Sequence, residues 1–309
     1  MTQQDRIRSL VLDYACGEIS RHLADAGHQV IMLKGDTIAS WLYPDPTERT
    51  YGDLDVLVSP AEEAAVVESL AALGYRPLFD RAWRATSPEE QPLRNHLGVV
   101  IDLHVSIKGI RMAPQQAWDI LSRETVPWTW AGTPVQALAP HARAMHLALH
   151  VAQGGLADEK AARDLALGLT RLDTATWEAA DRLARQLEAV EAFSAGLRLF
   201  PEGARLADEL DLPRPEHLET RMRAGSASHA SIVLERTLAA AGWRQRIRVA
   251  FTHVFPSAAW MRVVFPEETR TTWGLVRARA RRPFILLHRL PAAIRTRRRY
   301  RRSLDGDDR

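Results

Sequence analysis

The sequence has one cysteine, no apolar stretch approaching the length of a membrane span, and neither an acid nor a lysine between Arg277 and Arg302. Each absence excludes something. A lone thiol cannot form an intramolecular disulfide, and Cys16 stands among Leu12, Ile19 and Leu23 at helical spacing, as a small buried side chain does. A membrane helix needs roughly 20 consecutive apolar residues, and none are found. The opening MTQQDRIRSL also lacks the apolar run of a secretory signal. The expectation is a cytoplasmic protein with no transmembrane segment. No motif recurs with a period of roughly 20 to 50 residues, which disfavours a repeat solenoid.

What is present describes an ordinary folded protein: 309 residues, 46% hydrophobic and 26% charged. That length exceeds what one compact core usually organises, so two domains are expected. The formal charge of +3 conceals an asymmetry. Eleven arginines lie between Arg277 and Arg302, leaving 30 basic residues against 38 acidic ones in the rest of the chain, a net of −8. The interleaved Phe284, Ile285, Leu286, Leu287 and Leu290 make this tail amphipathic. It suits an anionic partner, whether RNA, a lipid surface or an acidic protein, or else a solvated helix packed on the body.

Hydrophobic periodicity predicts a helix over 5–26, a buried strand at 30–33, a glycine turn at Lys34-Gly35, a short helix over 37–43, a strand over 53–58 and a helix over 61–73. Shorter extended segments are expected at 75–79, 82–86 and 93–97, then a clear strand over 99–105. After Pro114 a hairpin is expected through Val126-Pro127-Trp128 and Pro134-Val135. Helices follow over 142–151, 161–172 and 177–200. The fold class expected is α+β: a mixed-sheet domain over 1–112, a helical domain over 113–254 and a C-terminal region over 255–309.

Asp53 and Asp55 are two apart on a strand, so their carboxylates share one face while Leu54, Val56 and Val58 point into the core. Alone, Asp-x-Asp is a weak signal, common at solvated strand ends. Asp102 and His104 likewise share a face of the 99–105 strand. If the two strands are neighbours, three carboxylates meet, and a hard divalent cation, magnesium or manganese, would neutralise them. Lys34 and Gly35, between a strand and a helix, and Arg49 shortly before the Asp pair, are candidate phosphate contacts. The plain alternative for Arg49 is a solvated loop arginine.

The run Leu33-Lys34-Gly35, Tyr43-Pro44-Asp45-Pro46, Arg49, Gly52-Asp53-Leu54-Asp55-Val56-Leu57-Val58, Leu73-Gly74-Tyr75 and Ile101-Asp102-Leu103-His104 resembles the bacterial nucleotidyltransferase family of the polymerase-beta-like superfamily. The likeness continues more weakly through Leu147-Ala148-Leu149-His150, Arg163-Asp164-Leu165 and Phe255-Pro256-Ser257. It implies a mixed sheet flanked by helices, magnesium on Asp53 and Asp55, and Asp102 as third ligand or general base. A nucleoside triphosphate would be the substrate and a small molecule, protein or RNA the acceptor. One departure is the phosphate turn, which is Gly-Ser in better-known members and Lys34-Gly35-Asp36-Thr37 here.

The resemblance also places His150 in the substrate cleft, with Asp164 as a second cleft candidate or simply a solvated acid in mid-helix. His104 is a carboxylate or phosphate contact, or structural. His146 and His150 stand four apart on a helix, but Leu147 occupies the place where a zinc protease motif requires Glu. The tryptophans are assigned to packing. Two alternatives to an enzyme with a general acceptor stay open: a toxin-like nucleotidyltransferase acting on tRNA, and a non-catalytic relative that binds or regulates.

Overall fold

The computed structural model describes residues 3–79 and 87–307. Its described strands form one mixed sheet: β1 (Val30–Met32), β2 (Leu54–Val58), β3 (Arg76–Pro77), β4 (Glu90–Arg94), β5 (Val100–His104), β6 (Thr125–Trp130) and β7 (Thr133–Leu138), in the order β3-β4-β5-β2-β1-β7-β6. β2 runs parallel to β5 and β1 parallel to β7, and the other neighbours are antiparallel. An N-terminal mixed α+β sheet followed by a mainly helical region is the fold class that the sequence predicts. The extended segment expected at 82–86 lies outside the described residues.

The central strands are covered on both faces. On one side Met32, Leu54, Val56, Val58, Ile101 and Leu103 pack with Leu12, Cys16, Ile19 and Leu23 of α1 (Gln3–Asp25) and with Val66 and Leu70 of α3 (Glu63–Ala72). On the other, Ile31, Leu33 and Leu57 join the core of the helical region, among them Leu138, Met145, Leu149, Leu165 and Phe193. Strict alternation along β2 thus sends Leu54, Val56 and Val58 one way and Leu57 the other. Asp55, on Leu57's side, is a carboxylate in the middle of a strand with no solvent-facing side. Burial of that kind is costly unless partners are supplied. Cys16 is fully buried in the α1 layer, and burial pushes its thiol up to about 12, an inert packing group.

Past β5, α4 (Pro114–Leu121) leads into the β6–β7 hairpin, whose turn residues Ala131 and Gly132 both have positive φ, 46° and 81°. Paired positive φ values match the twist of the flanking strands. The hairpin joins the same sheet, which therefore extends to Leu138. α5 (Pro140–Gly154) is buried over most of its length and forms the hub for α6 (Glu159–Arg171), α7 (Thr174–Gln186) and α8 (Val190–Leu197). α8 approaches closely because Gly196 has no side chain: a Cβ there would stand 2.0 Å from the Ala148 carbonyl oxygen. The helix expected over 177–200 is interrupted, since Glu188 adopts φ 54° between α7 and α8.

Arg143 of α5 anchors the short helix α2 (Asp36–Leu42). Its NH1 donates to the Thr37 carbonyl at 2.8 Å, and its guanidinium lies 4.5 Å from the Trp41 ring centre and 4.8 Å from that of Trp128. Burial lowers its pKa to about 10. The chain continues through α9 (Pro201–Glu209), α10 (Leu218–Ala224), α11 (His229–Ala239), α12 (Trp243–Val254) and α13 (Ala258–Val264) to α14 (Thr272–Asp307), a helix of 36 residues. Among the described residues no helix is long and apolar enough to cross a membrane.

Candidate functional site

The parallel β2–β5 ladder sets Asp55 opposite Asp102 and Leu57 opposite His104. Residues paired in register project to the same face, so both carboxylates and the imidazole point toward the helical layer. Asp53, two residues before Asp55, joins them at the entrance to β2. The carboxyls affect one another: burial and then the Asp55 charge raise Asp53, while burial, Asp55 and Asp53 raise Asp102 to about 7.

Asp55 behaves in the opposite way. Lys34 Nζ donates to its Oδ1 at 2.7 Å, and His104 Nε2 lies 3.0 Å from the same oxygen. Burial opposes its charge, but Lys34 and His104 outweigh that and hold Asp55 well below the usual carboxylate range. Lys34 is raised in return: Asp55, with Asp53 and Asp102 behind it, overcomes its desolvation. The backbone enforces this pairing, because Leu33 N donates to the Asp55 carbonyl at 3.0 Å and delivers Lys34 to the strand beside it.

Gly35 makes the turn possible. Its φ is +72°, and a Cβ would stand 2.2 Å from the Trp130 ring. Trp130 is fixed in turn, donating Nε1–H to Asp13 Oδ1 at 2.7 Å, while Trp128 Nε1 donates to Asp36 Oδ2 at 2.9 Å. The hairpin tryptophans therefore buttress the turn from outside, in keeping with their assignment to packing.

Arg49 is turned inward. It is 3% exposed, and its Nε and NH2 donate to the two carboxylate oxygens of Asp164 at 2.7–3.0 Å. NH1 lies 3.4 Å from the Gly35 carbonyl, and Tyr43 Oη donates to Asp164 Oδ1 at 2.7 Å. The solvated alternatives for both residues are overturned. Asp164 is a buried acceptor that ties α6 to the loop before β2 and to the glycine turn, and the bidentate geometry gives the tie its direction.

Beside the acids a cleft of about 310 Å³ is lined by Lys34, Glu90, His104, Lys108, His146 and His150, among others. Both histidines are held neutral. Burial, followed by the Lys34 charge, lowers His146 to about 3 and puts His150 well below its ordinary value. Two neutral imidazoles can donate or accept a hydrogen bond but add no positive charge. Glu90 and Lys108 are residues that sequence reasoning missed. Glu90 sits opposite His104 in the β4–β5 ladder, its Oε2 is 3.9 Å from His104 Nδ1, and Lys108 Nζ donates to its Oε1 at 2.7 Å. Strand pairing brings in Glu90, the segment after β5 brings in Lys108, and nothing local in the sequence marks them.

Lysines are scarce and concentrated. The chain has three against 38 arginines. Lys34 holds Asp55, Lys108 holds Glu90, and Lys160 is among the charges that lower Asp53. A compact ammonium carries a point charge into a crowded acidic site where a planar guanidinium needs room. Among the described residues no group of three His, Cys, Asp or Glu side chains stands in metal-holding geometry.

A protein-family model described as "Uncharacterised nucleotidyltransferase" matches residues 1–202. No curated protein matches the chain. Among solved structures the chain is similar to an antigenic nucleotidyltransferase-like protein from Paracoccidioides brasiliensis. That likeness has 14% identity and a TM-score of 0.36 and covers 58% of this chain and 92% of that one. The family model spans well over half of the 309 residues and includes the acidic pair, the β5 acid and the cleft histidines, so the chain belongs to the uncharacterised nucleotidyltransferase family.

Proposed function

We propose that the chain is a metal-dependent nucleotidyltransferase that moves a nucleoside monophosphate from a nucleoside triphosphate to an acceptor hydroxyl. The observation that supports this is the register of Asp55 with Asp102 on adjacent parallel strands, with Asp53 close enough to act on both charges. Carboxylates held near one another inside a protein are mutually unfavourable, and burial first, then the charges of the neighbouring acids, raises the proton affinities of Asp53 and Asp102. The donor chemistry fits a hard divalent cation, magnesium or manganese, which when bound would neutralise the acids and the triphosphate.

Asp53, Asp55 and Asp102 would hold that ion. Asp102, third ligand or general base, would take the proton of the acceptor hydroxyl. As that oxygen bonds to the α-phosphorus, the bond to the bridging oxygen breaks and pyrophosphate leaves. Lys34 and His104, both on Asp55 Oδ1, fix the carboxylate's orientation, and the neutral His150 offers a hydrogen bond to substrate in the cleft. Arg49 acts through Asp164, holding the Gly35 turn in place.

The Lys34–Asp55 contact favours a second reading, a non-catalytic binding protein in which the ammonium takes the cation's place. One experiment separates the two. The purified protein is incubated with each labelled nucleoside triphosphate, magnesium and a cell extract, beside an Asp53→Ala, Asp55→Ala variant. Label transfer by the parent alone is expected. Equal labelling by both proteins, or by neither, would remove the enzymatic reading.

A further inference from the structure

Between Arg236 and Leu304 the chain carries seventeen arginines and two acids, Glu267 and Glu268. Among the described residues only Arg236, Arg270 and Arg297 of these pair with a carboxylate. The remaining guanidinium groups have no carboxylate partner, though Arg246, Arg279 and Arg282 donate to backbone carbonyls, and their charge is uncompensated in a region beyond the one that the family model matches.

The same surface is unusually apolar. At 100° per residue, Trp273, Val276, Ala280, Phe284, Leu287 and Pro291 of α14 fall within one narrow stripe. That stripe faces away from the protein: Trp273 is 82% exposed, Phe284 70% and Leu287 64%. The opposite side of the helix carries Leu275, Ala278 and Ala293, which are buried against the body. Arg277 and Arg281 border the apolar stripe, and Arg295, Arg298 and Arg302 continue its line toward the C-terminus.

α12 repeats the pattern. None of its residues is buried, Trp243, Ile247, Phe251 and, just after it, Phe255 recur at intervals of four, and Arg244, Arg246 and Arg248 lie between them. Two helices thus each present aromatic and aliphatic side chains among arginines that have no carboxylate partner, where a helix packed on a body would show polar groups.

We propose that α12 and α14 form a docking surface for an anionic lipid bilayer, lying in its headgroup region. Charge complementarity selects the partner. Anionic headgroups would meet the arginines while Trp243, Phe251, Trp273, Phe284 and Leu287 enter the acyl boundary, the arrangement of an interfacial amphipathic helix. RNA would satisfy the arginines but leave Ile247, Val276 and Leu287 without a partner, because aliphatic side chains do not stack on bases. A second copy of the chain would set one arginine face against another.

The test uses the full chain and does not depend on nucleotidyl transfer. Co-sedimentation is measured with vesicles of phosphatidylcholine alone and with vesicles containing phosphatidylglycerol. Binding to the anionic vesicles, weakened by salt, is expected. A Trp273→Ser, Phe284→Ser, Leu287→Ser variant should bind about tenfold or more weakly. Its melting curve should be unchanged, since the three side chains are exposed. An Arg277→Gln, Arg281→Gln, Arg298→Gln variant should lose the preference for anionic lipid. Equal binding to both vesicle types, no binding, or tighter binding to single-stranded RNA than to vesicles would overturn the proposal, as would concentration-dependent self-association abolished by the serine variant.

Discussion

Arg49 and Asp164, 115 residues apart, are joined through both oxygens of one carboxylate, with the two side chains 1% and 2% exposed. Burial opposes the charge on Arg49, but Asp164 outweighs it and the guanidinium is raised. Such a pair is worth little relative to a well-packed apolar replacement, yet losing one partner strands a buried charge. Arg49→Ala or Asp164→Ala should therefore lower stability by about 3–5 kcal/mol in urea unfolding. The Arg49→Met, Asp164→Leu double variant should recover much of that loss. Fully additive losses would show that the pair is not coupled.

Gly35 allows a second stability test. A side chain there meets both a left-handed backbone and the Trp130 ring. Gly35→Ala should cost at least about 1–3 kcal/mol from backbone strain alone, with more from the clash. Adding Trp130→Leu should relieve only the steric part, so the double variant should stay below the Trp130→Leu single. Equal stability of those two proteins would mean that the turn tolerates alanine.

The acids make opposite pH predictions. Asp102 rises from an ordinary 3.8 to about 7 through burial and the charges of Asp55 and Asp53. The folded protein then binds this proton more tightly than the unfolded chain. Stability from Asp102 is full in acid and lost as pH rises toward about 7. Asp102→Asn removes that loss, so its metal-free melting temperature at about pH 8 should exceed the parent's by a few degrees. Magnesium should raise the parent's melting temperature above neutrality and leave the variant's nearly unchanged. Parallel curves for the two proteins would contradict this account.

Asp55 has the reverse sign. Held well below its ordinary value against the cost of burial by Lys34 and His104, it contributes stability above about pH 4 that fades as the medium becomes more acid. Lys34→Met should cost about 2 kcal/mol or more near neutrality, by leaving a buried carboxylate with one partner fewer. The difference from the parent should shrink below about pH 4. A gap that stays constant down to acid unfolding would assign the loss to packing instead.

Local signals made much of this molecule legible in its sequence. Alternation in Asp53-Leu54-Asp55-Val56-Leu57-Val58 marked the strand and the face of its acids, and the sheet confirms which side Leu54, Val56 and Val58 occupy. The hairpin at Trp128 was legible from its apolar flanks and turn residues. What local pattern could not supply was partnership. Arg49 read as a phosphate contact or a solvated loop arginine, and Asp164 as a cleft residue or a solvated acid, because nothing within a few positions of either one hints at the other. Glu90 enters the cleft through the β4–β5 register, and Lys108 from the segment after β5, where it meets Glu90. The break at Glu188 has neither glycine nor proline to announce it, and the long helical periodicity ran straight through.

The distribution of amines has a practical consequence. Every ε-amino group in the chain belongs to Lys34, Lys108 or Lys160, so an acylating reagent aimed at lysine side chains has three targets, two lining the cleft and one, Lys160, exposed on α6. A tag on Lys34 or Lys108, told apart from Lys160 by peptide mass, would report the opening and filling of the cleft without any engineered handle.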